Sequence, residues 1–431
     1  MALPNDYQSN TNKKLLKSFI KGFESSTVLT NTVSKQLVNE IDSSTGGTPG
    51  AGDPVAMKRP TQYVPQRTAD GNMSAQDTNP VRTGKVVGNV SENGYITVFV
   101  ENKQIEEALE TDQLDELLRP IAEDMVVECE SELAKYMTKN AALISGSPDT
   151  AIAKWSDVAR AGALFKESGA PAGKKYAAIN CFDETVLADL QTQLGVNPNV
   201  NEAWAGAVVK ERFAGLDQVL TTNNLDEYTT GTESAGLTLG ATPSGSYTAY
   251  KDSYQMDIVI TGATATTGTL KAGQQLQFAD SLLLNLRNRK IVRESGAGVP
   301  ITLTVLNDAT ADGSGNMTVK VSGAAINEAG VDGAYNTVSK ALTSGDTVTV
   351  LGTPDTAYRP ALAYCEGFVG MGSVVLPKLH ALDSMIVNHK GMSIRVHKFS
   401  DGVANINKYR FDILPTFATF NPFWGMQMFG K

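Results

Sequence analysis

The side chains that most often perform chemistry are sparse in this sequence and badly spaced for it. The three histidines, His380, His389 and His397, lie 9 and 8 residues apart. That spacing fits neither the i, i+4 pair of helical zinc sites nor the shorter intervals of other zinc ligands, so they read as surface or strand residues. Cys129, Cys181 and Cys365 are remote from them in sequence. No Gly-x-Ser-x-Gly elbow, His-Glu-x-x-His pair or Gly-x-Gly-x-x-Gly turn after a strand is present. The run "GAPAGKK" is one residue short of a phosphate loop. It also carries Lys175 where Ser or Thr is needed, and it passes from helix to strand instead of strand to helix. The densest titratable set is Glu123, Asp124, Glu128, Glu130 and Glu132. With no imidazole nearby, these carboxylates read as a solvated or partner-facing surface. The expectation is a chain that binds or builds, with no enzyme activity, no metal and no cofactor.

The elements that carry these residues change character along the chain. Residues 12–24, "NKKLLKSFIKGFE", space Leu15, Leu16, Phe19, Ile20 and Phe23 as one helical stripe, with Lys13, Lys14, Lys17 and Lys21 between them. A basic amphipathic helix can lie on a membrane, but no second anchor accompanies it, so docking on protein is the better reading. Residues 42–94 are rich in Gly, Ser, Thr, Asn and Pro and cannot bury a core of their own. The pieces "AMKRPTQYVP" and "GKVVGNV" make this stretch a long two-stranded arm, and "NGYITVFVEN" reads as a strand. A helix over 120–140 then opens at Pro120, in the first turn where proline is accepted. It buries Ile121, Ala122, Met125, Val126, Cys129, Leu133, Tyr136 and Met137, with the acidic set on the opposite face. Residues 151–225 read as a compact α/β piece whose second helix is capped by Asp183.

From 226 to 352 the composition moves to Gly, Thr, Ser and Val in short alternating runs: "YQMDIVITG", "QQLQFADS", "ITLTVLND", "NMTVKVSG" and "DTVTVLG". These are the signals of a small β-barrel or sandwich. Mixed sequence resumes at 353, so the β module reads as an insertion. A net charge of -9 argues against a surface built to bind nucleic acid through its phosphates and leaves room for weak, local contact. Three widely separated cysteines speak for a reducing compartment. The opening "MALPNDYQSNTNKK" lacks the apolar stretch of a signal peptide, and no run of about 18 apolar residues occurs.

The order of parts carries a resemblance. An N-terminal arm, a long β arm, a helix opened by Leu118-Arg119-Pro120-Ile121-Ala122, an α/β module ending in "RFAGLDQVLTTNNL" and a terminal "KYRFDILPTFATFNPFWGM" resemble a tailed-phage major capsid protein of the Hong Kong ninety-seven fold. The inserted "VITGATATTGTLKAGQQLQFA" with "ITLTVLNDAT", "MTVKVSG" and "AYNTVSKALTSGDTVTVLG" resembles the insertion domain of P-twenty-two-type coat proteins of short-tailed phages. The resemblance implies an α+β fold with N-arm, extended β loop, spine helix, axial domain and an inserted small β-barrel. It divides the chain into an N-terminal arm (1–41), extended loop and strand (42–102), peripheral domain with spine helix and the first part of the axial domain (103–225), inserted barrel (226–352), and axial domain with C-terminal strands (353–431). It further implies hexamers and pentamers of this chain, a procapsid built around scaffolding protein with a portal at one vertex, a decoration protein as a further candidate partner, and packaged double-stranded DNA touched weakly. Assembly would take place in the bacterial host cytoplasm. An encapsulin shell and a β-domain adhesin are the alternatives.

Charge then proposes contacts. Lys58, Arg59, Arg67, Arg82 and Lys85 oppose Asp70 and Asp77 in the arm, a net +3. The arm of one subunit is therefore expected over the acidic helix face of its neighbour, at Glu123, Asp124, Glu128, Glu130 and Glu132. Lys13, Lys14, Lys17, Phe19, Lys21 and Phe23 are the expected partner contact of the N-terminal arm, although the resemblance would lead one to expect carboxylates there.

Overall fold

The computed structural model describes residues 14–15, 17–23, 27–35, 54–59, 61–101, 114–171, 173–192, 214–377, 384–389, 392–401 and 406–431. Lys13, Leu16, His380, the runs 42–53 and 103–113, and all of "NEAWAGAVVKERF" lie outside them, as do the side chains of Lys58 and His389. The chain divides into two compact units, one of residues 1–57, 87–133 and 369–418, the other of residues 58–86, 134–368 and 419–431. Residues 353–431 are thus shared between the two.

In the first unit a four-stranded sheet runs in the order Pro54–Lys58, Lys85–Val90, Pro415–Thr419, Val369–Ser373. A second sheet orders Ser384–His389, Met392–Asp401, Ile406–Ile413 and Ile96–Glu101 in antiparallel register. On one face of that sheet Phe411 stacks on Phe19 of the N-terminal helix at 4.7 Å between ring centres. On the opposite face the buried Asp412 takes two bonds from Arg395, at 3.0 and 2.6 Å, and one each from Arg410 and Thr97. A buried carboxylate is tolerated only when it is surrounded by donors in this way.

The long helix α1 spans Leu114–Asn140, so it begins six residues before the expected start and Pro120 lies inside it. Proline at that position removes one i to i−4 bond and crowds the preceding turn. Tertiary packing carries the helix through. Gly22 of the N-terminal helix lies so close that a Cβ there would meet Arg119 Cα at 3.1 Å and Ala122 Cβ at 3.2 Å. Of the expected stripe, Ala122, Met125, Val126, Cys129, Leu133 and Met137 are buried, whereas Ile121 and Tyr136 are only partly so; Leu118, ahead of the stripe, is buried as well.

In the second unit a five-stranded mixed sheet runs Leu143–Ser145, Gly425–Met428, Ala361–Cys365, Lys175–Ile179, Gln218–Thr221. Helices α2 (Trp155–Glu167) and α3 (Cys181–Thr192) belong to the same α/β piece. The expected cap of α3 at Asp183 is corrected: the helix starts two residues earlier, where Asn180 Oδ1 accepts the Phe182 N–H at 3.4 Å, and Asp183 sits in the first turn.

The β module closes into a six-stranded barrel in the order Gln275–Leu282, Pro300–Val305, Met317–Ser322, Gln255–Thr261, Leu237–Leu239, Thr347–Val350. Alternation fills its interior with Met256, Ile258, Ile260, Leu276, Phe278, Val319, Val321 and Val348, all buried. These residues belong to one continuous core with Leu143, Phe165, Ile179 and Met426 of the mixed sheet and its helix. The module is inserted in sequence but fused in packing.

Candidate assembly surfaces

The arm between Lys58 and Val86 is held by side chains where a strand ladder was expected. Only its roots are strands; residues 61–83 form none. Asn79 does the work of a strand partner, its Oδ1 accepting the Val64 N–H at 3.0 Å and its Nδ2 donating to the Val64 carbonyl at 3.1 Å. Gln66 Nε2 donates to the Asp77 carbonyl at 2.6 Å. At the tip, Asp70 Oδ1 accepts from Asn72 N–H and Asn72 Oδ1 from Ser74 N–H, two successive Asx turns of the kind these residues favour. The arm exposes large apolar side chains, Tyr63 (54%), Met73 (52%) and Val81 (70%), which a lone chain gains nothing by exposing.

The expected cations separate into two groups. Arg67 and Lys85 are exposed. Arg59 is instead buried in its own unit, where its guanidinium stacks over Tyr254 at 4.2 Å and donates to the Phe420 carbonyl. Burial pulls its pKa below the usual arginine value. Arg82 is committed as well, to Asp332 at 2.9 Å and Thr248 at 2.8 Å. Sequence charge could not distinguish these, because burial depends on Tyr254, Asp332 and Phe420, which are far away along the chain.

The acidic set divides in the same way. Asp124 and Glu128 are exposed on α1 beside the exposed Val127, and Glu123 pairs with Arg119 at 2.7 Å. Glu132 accepts from Ser91 and, at 2.9 Å, from Asn93. Glu130 is corrected from an outer to an inner residue. It is fully buried, and its Oε1 accepts from Val28 N–H at 2.5 Å, Thr30 N–H at 3.2 Å and Thr30 Oγ1 at 3.0 Å. Burial raises its pKa while these donors pull it back. It thus holds the short 3-10 turn Leu29–Asn31 that follows the N-terminal helix.

At that helix Lys14, Lys17 and Lys21 face solvent, whereas Phe19 and Phe23 are buried in their own chain. The two rings cannot reach a partner while the helix is docked. Among the histidines, His397 is buried and stacks on Phe399 at 5.3 Å. No cluster of metal-ligating side chains occurs among the described residues, and no described helix is long and apolar enough to cross a membrane.

Sequence reasoning missed one further set of functional side chains, the polar groups that close the end of α1. The last carbonyls of a helix have no partner within it. Here Gln427 Nε2 donates to the Thr138 carbonyl at 3.0 Å and Ser322 Oγ to Asn140 at 2.9 Å, and just beyond the helix Thr304 Oγ1 donates to Ala141 at 2.5 Å and Thr302 Oγ1 to Ala142 at 2.6 Å. Three of these four donors stand on barrel strands. Alternating Thr and Ser in "ITLTV" and "KVS" was the available signal, but it marks strands generally.

The exposed apolar arm beside the barrel is a surface suited to contact with protein. The family model described as "P22 coat protein - gene protein 5" matches residues 1–430. A major capsid protein of Acyrthosiphon pisum secondary endosymbiont phage 1 is 40% identical over 432 residues, covering 100% of both chains. Among solved structures, one of Mycobacterium phage Che8 aligns at 9% identity with a TM-score of 0.42, over 93% of this chain and 90% of that one. The capsid of cyanophage P-SCSP1u aligns at 10% identity and 0.39, over 89% and 85%. The chain belongs to the P22 coat protein family. It is a phage major capsid protein, as its order of parts led one to expect.

Proposed function

We propose that this coat protein assembles around a scaffolding protein, with a portal at one vertex, into an icosahedral procapsid in the bacterial host cytoplasm. The shell then matures to enclose double-stranded DNA, touching it weakly, and a decoration protein is a candidate addition. The subunit acts by contact and not by catalysis. The full-length family match carries this reading, because it spans the arm, helix and barrel together. It also disfavours an encapsulin, which ordinarily lacks the insertion, and an adhesin.

The contact that closes the shell is the arm of one subunit on α1 of its neighbour. Arg67 and Lys85 supply the exposed charge, and Tyr63, Met73 and Val81 the apolar area. Asp124 and Glu128 with Val127 between them supply the complement. Each exposed ion pair contributes only ~0.2–1 kcal/mol. Such weakness suits a shell, since a contact of about 4 kcal/mol is only a millimolar pair and closure multiplies it.

The test is assembly of the Arg67→Glu, Lys85→Glu double variant, followed by electron microscopy and sedimentation. Folded subunits without shells are expected, with shells restored when Asp124→Lys and Glu128→Lys are added. Normal shells from the first variant would sink the arm contact. Small oligomers from the unaltered chain, with and without scaffolding protein, would sink the shell reading itself.

A further inference from the structure

The root of the arm is gripped by one residue of the insertion. Tyr335 lies in the 3-10 turn Gly330–Tyr335, between two barrel strands. Its hydroxyl accepts the Gln62 N–H of the outgoing leg at 3.0 Å and faces the Arg82 carbonyl of the returning leg at 3.4 Å. A single phenol therefore bridges both legs.

We propose that Tyr335 is a positioning residue for assembly: with Asp332 it latches the arm to the insertion barrel, so that the unassembled subunit already presents its arm ordered. The latch rests on the reading of the arm as the contact element.

Three further observations support it. The Tyr335 ring is buried and stacks on Tyr247 at 3.6 Å with 10° between planes, so the hydroxyl is aimed rather than free to swing. The turn itself is rigid, because Asn336 closes on Glu328 through both its amide atoms, at 2.7 and 2.9 Å, and Arg289 donates to the Asn336 carbonyl at 2.6 Å. The returning leg is fixed a second time, by Arg82 on Asp332 at 2.9 Å and by the Lys85 N–H on Asp252 at 2.9 Å. Between these, Gly84 passes so near Lys251 that a Cβ would fall 2.3 Å from its carbonyl oxygen. Above the latch, Asn79 and Gln66 tie leg to leg, so order at the root extends towards the tip.

An ordered arm loses less conformational freedom on docking than a loose one, and binding is favoured by that difference. In this arrangement the barrel acts on assembly through a neighbouring segment of its own chain.

Hydrogen exchange on unassembled, full-length subunits reads the latch directly. Tyr335→Phe keeps the ring and its stack and removes only the bridging oxygen. The Gln62 amide and arm peptides within residues 61–83 are expected to exchange roughly fivefold faster or more, the loss of one net hydrogen bond, while the barrel strands keep their wild-type rates. Arg82→Asp is expected to do the same, with protection restored in the Arg82→Asp, Asp332→Arg swap. The swap keeps the test open if the Phe variant folds poorly. Unchanged arm exchange in Tyr335→Phe and Arg82→Asp would overturn the latch. Assembly rates of the same proteins test the reading beneath it: faster exchange with normal assembly leaves the latch standing and removes the arm from the subunit contact.

Discussion

Glu130 is the side chain whose character is most changed by its surroundings. A fully buried carboxylate costs free energy unless donors surround it, and here two backbone N–H groups and a hydroxyl do so. Its pKa is nevertheless raised from the ordinary 4.5, because burial outweighs those donors. A carboxyl with a raised folded-state value stabilises the fold fully at pH below its unfolded value, and that contribution is lost as pH rises through the folded value. Glu130→Gln is therefore expected to flatten the pH dependence of stability above about pH 4.5 and to keep the turn at Leu29–Asn31, since the amide oxygen still accepts. Glu130→Ala strands the Val28 and Thr30 N–H groups and is expected to cost roughly 1–3 kcal/mol. Thermal melts from acid to neutral pH check both; equal midpoints for the two variants would show that this side chain does not hold the turn.

At the scale of elements, the barrel and α1 depend on each other. Thr302, Thr304 and Ser322 project from barrel strands onto the carbonyls of residues 140–142, so the helix is terminated by a module whose strands begin about a hundred residues later in the chain. Thr304→Val preserves shape and strand preference while leaving the Ala141 carbonyl without this donor, and is expected to destabilise the subunit by about 1–3 kcal/mol. Thr347→Val, on an exposed barrel position, is the control and is expected to stay within about 0.5 kcal/mol of wild type. Denaturant midpoints measure both. The arm follows the same logic, since Asn79 and Tyr335 replace a ladder that its sequence, interrupted by Pro60, Pro65 and Pro80, cannot build.

For the whole molecule, the net charge is -9, yet the N-terminal helix sets Lys14, Lys17 and Lys21 on its exposed side. Its apolar side is committed to its own chain through Leu15, Phe19 and Phe23. What remains outside is the lysine face, and scaffolding protein with an acidic contact is its proposed partner. Lys14→Glu, Lys17→Glu and Lys21→Glu together are expected to yield subunits that fold and still form closed particles, but particles that retain several-fold less scaffolding protein. Gel densitometry of purified shells measures the ratio. Unchanged scaffold content would take this helix out of the scaffold contact.

Much of this protein was legible before its structure. Alternation located five of the six barrel strands, and helical spacing located the buried stripe of α1, because a periodic face is a property of neighbouring residues alone. The order of segments pointed to the coat-protein family. Leu237–Leu239 escaped because three residues are too few to show a period. Tertiary structure alone decided that Arg59, Glu130, Phe19 and Phe23 are interior, that Pro120 lies within a helix, and that a tyrosine of the insertion holds the arm. Each of those outcomes depends on a group far away along the chain, and burial is settled only when the distant segment arrives.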